Sequence, residues 1–454
     1  MSGARHVWTG LTGRVNLGVL TRWVSPDLVA AAVSGRVPPS GPRPSPLTPQ
    51  FMVYFTLGLA LWSQDSYEDV LDNLTAGVPE LAGASVDKSS LHNARQKLGS
   101  AAMAEVFAQV AAAPVAGAGT AGAWWRGRLV LAVDGFVVDV KDSALNRVAF
   151  AAPTGAQPRA GYPQAKVVTL AECGTHGLRA AAIGGYLSPE RELAEQVIGA
   201  AGPGNVVLFD AGFPSVRLFQ LAAQQQVAVV MRAGAAIARN PVQLLPDGSC
   251  LATLDTVKKS GAKRIGQVTV RVIEYQVGGH KVRLLTNLLD PNTAPAAELA
   301  ALYAQRWQTE QTFREIKTIQ QGHEYVLRSG SPELVRAEIW GHLIVHLCLN
   351  RLKTMIADQR GMDPDRISFI KVLKHARRTV IAQLAHTVKA ATAIATAMAA
   401  DLSRYLNPAQ HPRTSYRSTK RIRHRYPRRP HTRIGKPVTT PAPHHTITLI
   451  PTTT

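Results

Sequence analysis

The order of strand-like and helix-like segments between residues 127 and 233 limits the possible folds of this chain more than any other feature. Three strand-like runs come first: "GRLVLAVDGFVVDV", "PQAKVVTLAEC" and "GLRAAAIGGYL". The chain then alternates between the helix "PERELAEQVIGAA", the strand "GNVVLFD", the helix "PSVRLFQLAAQQQ" and the strand "VAVVMRA". Strands in antiparallel order, followed by strands that alternate with helices, predict a mixed α/β sheet.

The segments on either side of this region are helical, apart from one β-rich stretch. The run "GQVTVRVIEYQVGGHKVRLLTNLLD" predicts a hairpin at Gly278 and Gly279 and resembles an insertion. Upstream, "VDKSSLHNARQKLGSAAMAEVFAQVAAA" predicts two short helices broken at Gly99. Either a helix-turn-helix or an ordinary helical hairpin fits them, and the hairpin is favoured because the former has little sequence signature. Pro-rich residues 37–49 and Ala/Gly-rich residues 113–122 predict linkers.

The chain is strongly basic, and its basic residues are unevenly spread. With 51 Lys and Arg against 30 Asp and Glu, it carries a net charge of +21. No acidic residue follows Asp401, whereas basic residues continue to Lys436, so this Pro- and Thr-rich tail is predicted to be disordered until it binds an anion. Such a balance favours nucleic acid as the partner, and the alternative is a ribosome-associated or merely Arg-rich protein.

Cysteine and hydropathy patterns argue against two classes of protein. Cys173, Cys250 and Cys348 lie far apart, which supports neither a disulfide framework nor a zinc site and fits a reducing cytosol. No apolar run approaches the roughly 18 to 20 residues of a membrane-spanning helix. The opening "MSGARHVWTGLTGRVNLGVL" lacks the apolar core of a signal peptide. We therefore expect a cytoplasmic protein with no membrane partner.

Four polar residues of "YAQRWQTEQTFREIK" fall on one side of the predicted helix. At about 100° per residue, Tyr303, Arg306, Glu310 and Lys317 lie at about 0°, 300°, 340° and 320°. One interpretation is a solvent-exposed face with salt bridges between residues four apart. The other is a metal-binding carboxylate flanked by groups that hold phosphates.

A metal-binding glutamate needs further oxygen ligands, and two aspartates at predicted strand ends are candidates. Asp134 follows "LAV" and Asp210 follows "NVVLF", although each alone is commonly a turn or cap residue. With Glu310 they would suit two hard cations such as Mg²⁺, which would activate a water or 3′-hydroxyl for attack on a phosphodiester. Asp139 and Asp142 lie close by, but a continuous strand would point Asp139 to the face opposite Asp134.

These motifs resemble the catalytic region of DDE transposases of the insertion-sequence-four family. The resemblance rests on "LAVDGF", "GYPQAKVVTLAECGTHGL", "VVLFDAGF" and the Tyr-x2-Arg-x3-Glu-x6-Lys signature. The N-terminal "LTGRVNLGVLTRWVSPDLVAAAV" is similar to the leading domain of that family, so the likeness covers roughly residues 10–355. His176 in "CGTHGL" follows the family pattern, and it is equally a candidate turn residue.

The resemblance implies an RNase H-like catalytic domain with a β-rich insertion, preceded by a helical domain, and the composition adds a basic tail. It implies two Mg²⁺ ions per active site, with Mn²⁺ as a substitute, held by Asp134, Asp210 and Glu310. It implies contacts to the phosphates of the transposon end from Tyr303, Arg306 and Lys317. The implied parts are a helical DNA-binding region (1–122), the first part of the catalytic domain (123–233), the insertion (234–291), the second part with C-terminal helices (292–401) and a disordered tail (402–454).

The function implied by the resemblance is cut-and-paste transposition. The expected protein binds double-stranded terminal inverted repeats as a homodimer, cleaves the transposon ends and joins them to target DNA at the bacterial nucleoid. One alternative is a transposase-derived DNA-binding protein without mobility, which the absence of flanking inverted repeats would favour. Another is an RNase H-like nuclease that acts on RNA.

Overall fold

The structure is a computed structural model that describes residues 15–34, 47–78, 86–153, 161–234, 237, 241–257, 264–277, 280–322, 325–408 and 448–450. Most of the predicted linker at 37–49 and the hairpin turn at 278–279 lie outside these residues. So does the tail between 409 and 447, which contains most of the basic residues that follow Asp401.

The centre of the fold is one large mixed sheet. The strands are β1 (Trp124–Trp125), β2 (Arg128–Val140), β3 (Gln164–Glu172), β4 (Leu178–Gly185), β5 (Val206–Phe209), β6 (Ala228–Ala233), β7 (Pro241–Leu244), β8 (Cys250–Val257), β9 (Arg264–Val277), β10 (His280–Thr286), β11 (Val326–Leu327) and β12 (Thr448–Leu449). The main strand order is β4-β3-β2-β5-β6-β10-β9-β8-β7. Because β2 pairs antiparallel with β3 and parallel with β5, the mixed α/β sheet is confirmed.

Helices cover both faces of this sheet. The helices of the described residues, some of which pack on other helices instead, are α1 (Pro26–Val33), α2 (Pro49–Leu61), α3 (Tyr67–Thr75), α4 (Lys88–Ala111), α5 (Ala144–Phe150), α6 (Glu190–Val197), α7 (Val216–Gln224), α8 (Ala296–Tyr303), α9 (Gln308–Arg314), α10 (Pro332–Gln359), α11 (Phe369–Ile381) and α12 (Val388–Leu402). Within the described residues, we find no helix that combines the length and apolar character needed to cross a membrane.

Alternation along β2 divides the core into layers. Leu131 and Val133 face one side of the sheet, where they join a cluster with α6 and α7. Val130 and Ala132 face the other side, against α8. Asp134 has the same parity as Val130 and Ala132, so it lies on the side of the sheet that α8 covers. The fold thus has helices on both faces of a mixed sheet, as in the RNase H-like class.

The N-terminal helices share a hydrophobic core with the C-terminal helices. Residues of α2, α3 and α4 belong to one buried cluster with residues of α10 and α11. The predicted break at Gly99 is confirmed, because its φ of 73° interrupts α4. Beyond the break, the backbone N–H of Ser100 donates to the Glu333 carboxylate of α10 at 2.6 Å. The boundaries of the five parts stay a prediction.

The β-rich segment continues the central sheet, since β10 pairs antiparallel with β6 and with β9. The predicted disorder of residues 402–454 stays a prediction, although the few described residues of this range make backbone hydrogen bonds. The Asn407 N–H donates to the carbonyl of Arg366 at 2.7 Å. At the other end, β12 pairs with β9, and the Ile450 N–H donates to the carbonyl of Glu274 at 3.0 Å. Backbone pairing gives these short pieces the partners that a polar composition alone does not reveal.

The segment predicted as one continuous helix through Lys317 is instead built from four helical pieces. After α8 come a 3₁₀ turn (Ala304–Trp307), α9 and a π-helical turn (Glu315–Gln320). A 3₁₀ turn has 3.0 residues per turn and a π turn has more than 3.6, so steps of 100° do not hold along the segment. Within the π-helical turn Glu315 is buried while Lys317 is exposed. We refer to residues 303–320 as the site segment.

Candidate active site

Asp134 and Asp210 lie side by side on neighbouring parallel strands. The register pairs Val133 of β2 with Phe209 of β5, so the next residue on each chain is an aspartate. Neighbouring strands are about 4.8 Å apart. The sheet therefore brings two carboxylates together at one point, as the sequence predicted for this pair.

Asp134 is not at a strand end, which corrects the sequence-based expectation. Strand β2 continues past it to Val140, with Gly135 paired to Val168 of β3. The physical reason is the alternation in "FVVDV", because Phe136 and Val138 are buried and keep the strand in the sheet. Asp210 does follow the end of its strand β5. The pairing of β2 with β5, by contrast, ends at Val133, directly before Asp134.

The guanidinium of Arg306 lies between the two aspartates. Its Nη1 is 3.4 Å from Oδ2 of Asp134, and its Nη2 is 3.9 Å from Oδ2 of Asp210. Each aspartate also accepts a 2.8 Å hydrogen bond from the next backbone N–H, that of Gly135 or Ala211. These contacts fix the direction of both carboxylates and show that a cation fits between them.

Burial and charge act in opposite directions on these groups. Burial raises the pKa of Asp134, and the Gly135 N–H, Arg306 and Thr309 offset only part of that rise. Burial would lower the pKa of Arg306, but Tyr303, Asp210 and Asp134 outweigh it, so the pKa of Arg306 is raised. A second cation beside Asp134 would favour its ionised form further.

Thr309 is a candidate site residue that no sequence pattern indicated. Its hydroxyl lies 3.0 Å from Oδ2 of Asp134 and 2.9 Å from the carbonyl oxygen of Arg306, both of which can accept its proton, and its side chain is buried. A few residues further on, Phe313 packs on Phe136 of β2, with ring centroids 4.7 Å apart. These contacts dock α9 onto β2, and Thr309 is the residue directly before Glu310.

Glu310 is exposed on α9. Among the described residues, no three His, Cys, Asp or Glu side chains are grouped closely enough to hold one metal ion. The structure thus brings Asp134 and Asp210 together but does not bring Glu310 into a three-carboxylate cluster with them. The donor set still suits Mg²⁺, since it consists of carboxylate oxygens and two of the three groups already face a cation. The role of Glu310 stays a prediction.

The other residues of the signature have different surroundings. Tyr303 is buried, its hydroxyl donates to the carbonyl of Phe209 at 3.2 Å, and burial raises its pKa. Lys317 is exposed and lines a cavity of about 240 Å³ together with Asp139 and Tyr325. The predicted phosphate contacts of Tyr303, Arg306 and Lys317 stay predictions.

His176 lies in the turn between β3 and β4, where it is fully buried and has a φ of 61°. The turn contacts the site segment through Gly174, whose N–H donates to Oε1 of Gln308, and through His176, which lies beside Glu315. His176 is therefore a turn residue that also reaches the segment carrying the signature. The sequence had left these two interpretations open.

Comparisons with known proteins identify the family of this chain. Residues 14–108 match the family described as Insertion element 4 transposase N-terminal, and residues 125–348 match the Transposase DDE domain. The chain is 33% identical over 328 residues to Transposase InsG for insertion sequence element IS4 of Escherichia coli (strain K12), covering 70% of this chain and 73% of that protein. A piggyBac transposase synaptic complex with hairpin DNA is similar with a TM-score of 0.42 and 12% identity, covering 87% of this chain and 86% of that one.

Proposed function

Because this chain belongs to the insertion element 4 family of DDE transposases, we propose that Asp134, Asp210 and Glu310 form the active site with which it cuts and joins the DNA ends of its own element. The chain is a DNA transposase of the DDE type. The observation that carries the site assignment is the pair of aspartates on adjacent parallel strands, facing a cation from the segment that also holds Glu310.

Divalent metal ions are the general cofactors of DDE transposases. We assign two Mg²⁺ ions per site, replaceable by Mn²⁺, with Asp134, Asp210 and Glu310 as the residues that would hold them. When bound, such ions activate a water or 3′-hydroxyl and stabilise the leaving oxygen of a phosphodiester. The protein supports this chemistry by orienting Asp134 through the Thr309 hydroxyl and the Gly135 N–H.

The basic residues of the site segment would bind the DNA end. Arg306 presents a planar guanidinium that suits a phosphate in bidentate contact, and the exposed Lys317 supplies a flexible point charge. Tyr303 would contribute after its hydroxyl leaves the Phe209 carbonyl, or by packing near Arg306, whose Cζ is 6.0 Å from the tyrosine ring centroid. A net charge of +21 supports binding to long polyanions.

The complete proposal is cut-and-paste transposition. Two copies of the chain would bind the terminal inverted repeats of the element as a homodimer on DNA, cleave there and transfer the 3′-hydroxyls to target DNA. The place of action would be the bacterial cytoplasm, at the nucleoid. A transposase-derived DNA-binding protein is not favoured, because both aspartates and Glu310 are present in the matched DDE region.

Cleavage of a labelled duplex tests the assignment. The duplex carries the terminal repeat that flanks the gene, and the reactions contain Mg²⁺. We expect Asp134→Asn, Asp210→Asn and Glu310→Gln each to reduce cleavage by about 1,000-fold, since metal ions contribute several kcal/mol to such reactions. DNA affinity should persist.

Asp142→Asn is the matched control, because Asp142 lies close to the site in sequence but is half exposed and pairs with Arg147 at 2.5 Å. It should cleave as the wild type does. Wild-type cleavage by any of the three site variants would contradict the assignment. Preferential cleavage of RNA–DNA hybrids by the wild type would favour the RNA nuclease instead.

A further inference from the structure

The turn between β3 and β4 contacts the site segment on both sides of Glu310. Before it, the Gly174 N–H donates to Oε1 of Gln308. After it, Nδ1 of His176 lies 3.2 Å from Oε1 of Glu315. One short turn therefore touches the segment at two places, with the proposed third metal ligand between them.

This turn is rigid enough to act as a support. All its residues are buried. The Glu172 carboxylate accepts a 2.8 Å hydrogen bond from the Thr175 hydroxyl and others from the N–H groups of Val115 and Ala116 at 2.8 and 2.9 Å. His176 has a positive φ of 61°, a conformation that a non-glycine residue keeps only where its surroundings enforce it.

Glu315, His176, Lys353 and Asp365 form what we call the buried ion cluster. Nζ of Lys353 is 3.3 Å from Glu315 and 3.7 Å from Asp365. Nε2 of His176 is 3.3 Å from Asp365. His346 adds a contact of 3.0 Å from its Nε2 to the second oxygen of Glu315. The cluster joins four elements: the β3–β4 turn, the π turn, α10 and the 3₁₀ turn Pro364–Arg366.

The charge of Glu315 depends on these partners. Burial would raise the pKa of Glu315, but Lys353 and His176 outweigh it and hold that pKa well below its usual range. The carboxylate is therefore ionised inside the protein, with basic partners on the turn and on α10. Apolar residues of similar volume often replace buried ion pairs without loss of stability. What they cannot replace is a directional contact that selects one rotation of a helix.

We infer that the buried ion cluster is a positioning device that fixes the rotation of the site segment, so that Glu310 and Lys317 stay exposed while Glu315 points into the core. This inference rests on the proposed function, because Glu310 and Lys317 are the residues that the cluster positions. Glu315 and Lys317 both belong to the π-helical turn, where Glu315 is buried and Lys317 is exposed.

The test uses the full chain with three changes: Glu315→Met, Lys353→Met and both together. Each single variant removes one of the opposite charges in the buried ion cluster, so that Lys353 keeps only Asp365, or Glu315 keeps only its two histidines, and should lower the thermal midpoint. The double variant should recover most of that loss, because an apolar pair replaces the Glu315–Lys353 ion pair while His176 still faces Asp365. We nevertheless expect the double variant to cleave the labelled transposon end about 100-fold more slowly, the effect of a displacement of about 1 Å. Its affinity for the DNA end should stay within about twofold of wild type, because the exposed basic residues that set affinity remain.

Hydrogen exchange of the peptide covering residues 303–320 provides a readout that does not depend on cleavage. Exchange should be faster in the double variant than in the wild type. Glu274→Gln serves as the matched control, because Glu274 is a buried carboxylate paired with Lys281 at 2.7 Å in the β-rich segment. It should lower the thermal midpoint while cleavage and exchange at 303–320 stay unchanged.

Two outcomes separate the inference from the function on which it rests. If the double variant has the wild-type midpoint, wild-type exchange and the wild-type cleavage rate, while Glu310→Gln is inactive, the positioning role is wrong and the site assignment stands. If Glu310→Gln cleaves at the wild-type rate, the site assignment itself is wrong.

Discussion

At the scale of single residues, the site depends on short polar contacts between side chains from distant parts of the chain. Arg306 contacts Asp134, which lies 172 residues earlier in the chain, and it also contacts Asp210. Thr309 contacts Asp134 across a separation of 175 residues. Such contacts restrain the carboxylates before DNA binds. Each of them can be removed by a substitution that changes volume very little.

Thr309→Val should slow cleavage because it removes the hydroxyl that orients Asp134. We expect about a 10- to 100-fold lower rate, as for partners of metal ligands in general, with DNA affinity unchanged. The measurement is single-turnover cleavage of the labelled end together with a binding isotherm.

Thr312→Val is the control, since Thr312 is buried on the same helix and its hydroxyl donates to the Gln308 carbonyl at 3.2 Å. Equal rates for Thr309→Val and wild type would show that the Asp134 contact has no effect on catalysis.

Burial of His342 predicts a pH dependence of stability. Burial lowers its pKa from 6.5 to about 4, so the unfolded chain binds a proton that the folded chain does not between those values. The contribution of the neutral His342 to the free energy of unfolding is therefore fully present above pH 6.5 and is lost as the pH falls toward 4. At pH 5 the loss is about 2 kcal/mol.

Thermal unfolding at pH 7 and pH 5 tests this linkage. The difference between the two midpoints should be smaller in His342→Leu than in the wild type, whereas His280→Gln, at an exposed position, should leave it unchanged. An identical pH dependence in all three proteins would rule out His342 as its source.

The residues of the site divide into those that a sequence can reveal and those that it cannot. Asp134 and Asp210 were predictable because each follows an apolar strand pattern, and their parallel pairing brings them together. Thr309 and Lys353 carry no such pattern. Their roles come from side-chain contacts across long sequence separations, which periodicity does not report.

At the scale of elements, the site depends on how the site segment changes its helical period. Sequence periodicity predicted its helical character but not the 3₁₀ and π turns within it. The reason is that residues in these turns make tertiary contacts that periodicity does not report, among them the contacts of Glu315 with α10 and with the β3–β4 turn.

The break in α4 gives a test at this scale. Gly99 has φ 73° and ψ 169°, a region open almost only to glycine, so Gly99→Ala should destabilise the protein by about 1–3 kcal/mol. A new Cβ would also come within 3.3 Å of Glu333 Oε1.

Gly119→Ala is its control, because a Cβ there meets no atom within 4 Å and its φ is not positive. The measurement is the denaturation midpoint of Gly99→Ala, Gly119→Ala and the wild type. A Gly99→Ala protein as stable as the wild type would mean that α4 can straighten without cost.

At the scale of the whole molecule, we expect positive charge to determine the affinity for DNA and its dependence on salt. The body and the tail are both basic, and residues 413–436 contain ten Lys and Arg. Replacing these ten by Ser should weaken binding to all DNA sequences about equally and reduce the slope of log K against log salt, because fewer counterions are released. Titrations of specific and random duplexes at several salt concentrations measure both quantities. A loss confined to the terminal repeat would instead mean that the tail reads sequence.

Hydrophobic periodicity predicts the mixed sheet and the helices on either side of it. Short motifs indicate the family. Neither kind of pattern predicts that the β-rich segment joins the sheet through the pairing of β10 with β6, because strand partners far apart in sequence are set by the whole fold. The shared core of the N-terminal and C-terminal helices is of the same kind.

The most direct test of the central claim is the anomalous signal of manganese in a crystal of the full chain bound to its transposon end. We predict Mn²⁺ ligated by Asp134, Asp210 and Glu310, with Arg306 turned from the aspartates to a DNA phosphate. Manganese held by the two aspartates while Glu310 remains in solvent would contradict the assignment of Glu310 as the third ligand. No manganese near Asp134 and Asp210 would contradict the site as a whole.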